Sequence, residues 1–186
     1  MSETLALTQA ERIYLVNKLE LTKEKLTGAI KDLSTAQLEY KPTPENWNIN
    51  EILEHIALAE NGIWQAVKQG LPNPPDATRR HEVTITDDDL YEKISSREHK
   101  RTSPDVIKPT GKFATAEAAL ALFTKKRNTT IEYVKTTEDD LRNRYWKHPA
   151  TGLIDLYQTI IFIAAHSNRH IEQILEVKQG EGFMKQ

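Results

Sequence analysis

The sequence predicts an all-α four-helix bundle, and three observations carry that prediction. Four long stretches repeat apolar residues at helical spacing. Capping residues stand before three of them. No stretch alternates apolar and polar residues convincingly beyond the short VTIT at 83–86.

The first helix is expected from about Gln9 to Leu33. Thr8 with Glu11 forms a capping box, and Ile13, Val16, Leu19 and Leu26 supply part of an apolar stripe. Pro42 and Pro44 make the segment 34–47 a connector. The second helix starts at Asn48, with Glu51 at the N3 position, and runs to about Gln69. Its inward stripe is Ile52, Ile56, Ala59, Ile63 and Ala66. His55 falls inside that stripe, on the flank carrying Ala59, Gly62 and Ala66. Small residues there leave room for a cavity or for a close helix neighbour.

Residues 71–113 contain Pro72, Pro74, Pro75, Pro104 and Pro109 and the acidic run Asp87-Asp88-Asp89. A short helix over roughly 87–97 is expected, with little structure elsewhere. So long a connection is unusual inside a compact domain. It reads as a crossover that lets the second and third helices run parallel. A linker between two domains is the alternative, but neither half alone has enough helices for a core, so one domain over 1–186 is expected. The third helix follows from about Thr115, its N-cap, to Thr136, with Ala118, Leu122, Ile131 and Val134 among its apolar residues. The fourth runs from about Asp155 to Lys178, with the stripe Leu156, Ile160, Ile163, Ser167, Ile171 and Ile174.

Composition narrows the function classes. The net charge is −2, and Lys and Arg are spread along the chain. Arg79-Arg80 and Lys125-Lys126-Arg127 read as solvated faces, so no nucleic-acid partner is expected. No apolar run approaches about 18 residues, which argues against a membrane span. MSETLALTQAER has neither a basic nor an apolar leader region, so a cytoplasmic address is expected. The chain has no cysteine. Disulfides, thiolate ligands and a protein-borne thiol nucleophile are therefore excluded.

The chemistry rests on histidine. His166 and His170 lie four residues apart in IIFIAAHSNRHIEQILEV, on one flank of the fourth helix. Two neutral imidazoles on one face can grip a divalent metal. His55, from the second helix, is a third candidate ligand. Three histidines from two helices make a facial site with open positions, and bundle interiors commonly host metals. The bland alternative is three core histidines with satisfied hydrogen bonds, since an H-x3-H pair alone carries little weight. The pair is not H-E-x-x-H, so a zinc metalloprotease is not expected. There is no nucleophile elbow and no Gly-rich phosphate loop. Glu51, one turn before His55, either supports that ligand or caps its helix, and capping is the expected use. His81 and His99 lie in the crossover, where exposure is expected. His148, in HPATG, sits in the turn before the fourth helix and is either structural or near the site.

Together NWNINEILEHIALAE, SPDVIKPTGKF and HPATGLIDLYQTIIFIAAHSNRHIEQI resemble the DinB/YfiT-like family of metal-binding four-helix bundles. The last segment is the most specific, with a histidine-proline turn, a glycine and H-x-x-R-H-x-x-Q-I at the expected distance. The resemblance covers nearly the whole chain. It implies an up-down-down-up bundle, with a divalent metal, commonly zinc or nickel, on His55, His166 and His170. It also implies homodimers, and activity either as a metal-dependent hydrolase or as a thiol S-transferase using a low-molecular-weight thiol. On this reading the chain is a metal-dependent enzyme acting on a small electrophile, with no general base or other catalytic residue assigned. The alternatives are a non-enzymatic metal- or ligand-binding bundle and an interaction module whose histidines are core residues.

Overall fold

The computed structural model describes residues 5–99 and 103–185. Its helices are α1 (Gln9–Ile30), α2 (Thr35–Glu39), α3 (Ile49–Gly70), α4 (Asp87–Ser95), α5 (Ala116–Thr136) and α6 (Leu156–Lys178). A hairpin of β1 (Tyr145–His148) and β2 (Gly152–Asp155) precedes α6. No helix among the described residues is long and apolar enough to cross a membrane.

Helix starts follow the capping chemistry. Thr8 with Glu11, Asn48 with Glu51 and Asp155 with Gln158 form reciprocal capping boxes at α1, α3 and α6. Thr115 caps α5. The connector after α1 holds more structure than expected. Ser34 and Gln37 form a capping box of their own and start the short α2.

Cross-helix contacts fix the topology as up-down-down-up. Glu11 and Ala29 of α1 accept hydrogen bonds from Tyr157 and Lys178 of α6, so these two helices run parallel. Gly70, ending α3, packs against Leu156, which starts α6, so that pair is antiparallel. A Cβ at Gly70 would stand 2.8 Å from Leu156 Cδ2, so a larger residue there would push the Leu156 side chain aside. Arg12 reaches the Val134 carbonyl and Lys23 reaches Asn128, so α1 and α5 are antiparallel. It follows that α3 and α5 run parallel, as a long crossover between them requires.

Within that crossover α4 packs on α6, and the segments Ala77–Glu82 and Asp105–Ile107 form 3-10 turns. Arg142 ties the crossover to the bundle, donating to Glu11, Asp87 and Asp155. The core is built of two apolar clusters, one with Leu15, Leu19, Ile131 and Ile160 and the other with Leu26, Ile52, Ile56, Phe123 and Ile174, all buried.

Three sequence expectations need correction. Ile13, expected in the inward stripe of α1, is half exposed (50%), because Leu15, Leu19, Thr22 and Leu26 form the buried face instead. Arg127, expected on a solvated face, is fully buried beside Glu60. The segment before α6 is a two-stranded hairpin, with His148 paired to Gly152 and Tyr145 to Asp155.

Candidate metal centre

His55 lies near the start of α3, and His166 and His170 lie midway along α6. Because α3 and α6 are antiparallel neighbours, the three rings meet between them. His55 Nε2 is 3.1 Å from His170 Nε2 and 3.3 Å from His166 Nε2. One nitrogen from each ring lies within 4.8 Å of the others. Nitrogens bound tetrahedrally to zinc at about 2.0–2.1 Å would stand roughly 3.3–3.4 Å apart, so the spacing suits a small divalent ion.

Proton placement points the same way. His55 Nδ1 lies 2.7 Å from the Ile107 carbonyl, which can only accept. That nitrogen therefore carries the proton, and Nε2 of the neutral ring is a bare lone pair. His170 Nδ1 is held 2.8 Å from Gln173 Oε1, which gives it the same tautomer. Two bare nitrogens facing each other at 3.1 Å repel unless a cation stands between them. Partners on the far ring nitrogen are the usual means of orienting a metal-binding imidazole.

Electrostatics keep the rings neutral. Burial is the main cause that lowers the pKa of His55, against the opposing Ile107 hydrogen bond. Burial also takes His170 down to about 3, with His55 adding to the shift. His166 is lowered well below its ordinary value by the surrounding protein and then by His170 and His55. Neutral imidazole is the metal-binding form.

Aromatic rings enclose the triad. Trp47 lies 5.1 Å from the His55 ring, and Phe162 stacks on His166 at 6.2 Å with 13° between planes. Trp146 and His148 back Phe162 at 6.1 and 4.7 Å. His148 therefore belongs to the surroundings of the site. Its Nδ1 accepts the Ala150 N–H, which stiffens the turn of the hairpin. His81 and His99 are exposed, as expected from their place in the crossover. Glu51 is used as a cap. Its Oε2 accepts the Asn48 N–H at 2.8 Å, and the side chain pairs with Lys41.

The sequence reading gave no role to Ile107, Phe162 or Trp47, and Gln173 stood only as the glutamine of the H-x-x-R-H-x-x-Q-I motif. Gln173 had a signal, since it lies three residues after His170 on the same helix face. The Ile107 contribution is a backbone carbonyl, which no side-chain pattern reveals. Among the described residues no carboxylate joins the three imidazoles.

A model of the DinB superfamily matches residues 18–174. The uncharacterized protein YuaE of Bacillus subtilis (strain 168) is 25% identical over 151 residues, spanning 81% of this chain and 88% of that protein. Among solved structures, a similar one is YfiT from Bacillus subtilis, described as a probable metal-dependent hydrolase with an unusual four-helix bundle topology. It superposes with a TM-score of 0.64 at 20% identity, over 98% of this chain and 94% of that one. At that identity the likeness establishes the shared fold.

Proposed function

The chain belongs to the DinB superfamily, and from that premise we propose that it is a metal-dependent enzyme acting on a small electrophile. His55, His166 and His170 hold one divalent ion, zinc or nickel. The observation that carries this reading is the 3.1 Å approach of His55 Nε2 to His170 Nε2, with each Nδ1 held on its far side by an oxygen, the Ile107 carbonyl or Gln173 Oε1. The description of YfiT as a probable metal-dependent hydrolase supports the same class of chemistry.

When bound, the ion acts as a Lewis acid that lowers the pKa of a water or thiol and polarises an electrophile. The protein's own contribution is placement. Three ligands leave one or more positions open. Ile107 and Gln173 hold two of the rings in orientation. Trp47 and Phe162 pack against the rings of His55 and His166. Hydrolysis takes water as the nucleophile, whereas S-transfer takes a low-molecular-weight thiol, which a chain without cysteine must obtain as a cosubstrate. A cytoplasmic homodimer with a small-molecule substrate belongs to the same proposal.

A second reading has one observation in its favour. Among the described residues no carboxylate joins the cluster of the three imidazoles, so the cluster itself supplies no general base. That suits a non-enzymatic metal- or ligand-binding bundle. The deciding experiment starts with elemental analysis of protein purified without a histidine tag, where about one divalent ion per chain is expected. The loaded protein is then offered activated esters and amides, and separately a chlorinated nitroaromatic with glutathione, bacillithiol or mycothiol. Thiol-independent cleavage supports the hydrolase, and thiol-dependent turnover supports the transferase. Both activities must vanish on chelation and return with added metal. Silence in both panels leaves the binding protein as the better reading, and absence of any metal uptake overturns the metal centre itself.

A further inference from the structure

The residue before His55 is as unusual as His55 itself. Glu54 is buried, at 4% exposure, yet no basic side chain forms an ion pair with it among the described residues. Its partners are backbone groups of the crossover. Oε1 accepts the N–H of Thr110 at 2.9 Å and of Lys112 at 3.2 Å, and Oε2 accepts the N–H of Gly111 at 3.0 Å. The Thr110 hydroxyl adds a fourth hydrogen bond to Oε1. Gly111 adopts φ +75°, a conformation glycine takes without strain, and this lets three successive N–H groups converge on one carboxylate.

We propose that Glu54 is a positioning residue for the metal centre, clasping residues 110–112 so that the Ile107 carbonyl stays on His55 Nδ1. The inference rests on the reading of the three histidines as a metal site. Glu54 and His55 are consecutive on α3, so one turn of helix is gripped twice by a stretch only six residues long, 107–112. The first grip orients a ligand. The second fixes the loop that supplies the first. Ile107 and Thr110 are three residues apart, which leaves little slack for the carbonyl to leave the ring while the clasp holds. A carboxylate is required because every partner is a donor, and only an acceptor with two free oxygens satisfies them all. Glutamine at this position has the same shape but turns an NH2 toward an N–H, and the clasp is lost.

Glu54→Gln tests this directly. In metal-free wild-type protein labelled with 15N-histidine, NMR at pH 8 is expected to show His55 protonated on Nδ1. In the variant His55 is expected to shift toward the Nε2-protonated form, and zinc affinity, measured by chelator competition, to fall about 10- to 100-fold, the usual cost of losing a partner that orients a ligand. Gly111→Ala strains the clasp from the exposed loop without touching the buried carboxylate, and is expected to give the same two changes if Glu54→Gln does not fold. A folded variant with an unchanged tautomer overturns the proposal, whether or not zinc binding weakens, because the effect then does not pass through His55. A shifted tautomer with unchanged zinc affinity also overturns it. Wild-type protein that takes up no zinc would instead overturn the metal reading, while the tautomer comparison would still report on the clasp.

Discussion

Arg127 of α5 and Glu60 of α3 form a bidentate ion pair in the centre of the bundle, at 2.7 and 2.8 Å, with neither side chain exposed. The same guanidinium donates to the Leu19 carbonyl and the Thr22 hydroxyl of α1 and to the Ser167 hydroxyl of α6. All four long helices thus meet at one side chain. Glu60 lies five residues after His55, and Ser167 follows His166 directly. The network therefore fixes the axial offset between α3 and α6, on which the separation of the histidines depends. Buried ion pairs are weak evidence for net stability but can select one packing arrangement over others.

Breaking that pair should be costly. Glu60→Gln leaves the Arg127 charge buried without a counter-charge, and the expected loss is about 3–5 kcal/mol of unfolding free energy. Replacing both partners together, as Glu60→Leu with Arg127→Met, removes the uncompensated charge and should recover much of that loss. Urea denaturation of the wild type, the single variant and the double variant checks this. A single variant as stable as the wild type would mean that the pair does not organise the core.

The ligand set can be read by substitution. His166→Ala and His170→Ala should each abolish tight zinc binding, while His81→Ala and His99→Ala, whose rings are exposed in the crossover, should not affect it. Isothermal titration of the four proteins separates the two groups. Equal losses at all four positions would place the metal elsewhere.

Much of this architecture was legible locally. Capping boxes mark helix starts because both partners lie within four residues, as at Thr8–Glu11 and Asn48–Glu51. His166 and His170 declare a shared face through their spacing alone. What escaped depends on distant partners. Lys125-Lys126-Arg127 reads as a surface patch, and only the approach of Glu60 from another helix makes Arg127 a core residue. Ile13 carries an inward pattern but faces outward, since α1 buries the neighbouring face through Leu15 and Leu19. Glu54 gave no signal, because the groups it binds are backbone N–H groups of a loop more than fifty residues away. The hairpin was missed because two four-residue strands carry too little alternation to stand out.

Acid should destabilise the metal-free protein over a defined window. His55, His166 and His170 all have pKa values lowered by folding, His170 to about 3, against about 6.5 in an unfolded chain. Between those limits the unfolded chain binds protons that the folded chain refuses. Stability should therefore be full above about pH 6.5 and fall as pH drops, by about 1.4 kcal/mol per pH unit from His170, with His55 and His166 adding to the fall in the same direction. Measuring urea unfolding of the apo protein at pH 7.5, 6.5 and 5.5 follows this effect. Zinc affinity should fall over the same range, because protons compete for the same nitrogens. Apo stability that is flat from pH 7.5 to 5.5 would mean that the rings are not held neutral.

His148 separates the ligands from their surroundings. It lies close enough to His166 to lower that residue's pKa, and its ring packs 4.7 Å from Phe162. Yet its Nδ1 is occupied by the Ala150 N–H, and it lies outside the cluster formed by the other three imidazoles. His148→Ala should therefore keep about one zinc per chain, with affinity within a few-fold of wild type. It should also loosen the packing of Phe162 against His166, so turnover, where it is found, should fall more than zinc binding does. Chelator competition and steady-state rates on the same protein give both numbers. A loss of zinc affinity as large as that of His166→Ala would make His148 a fourth ligand, and the open position of the site would then be occupied by the protein itself.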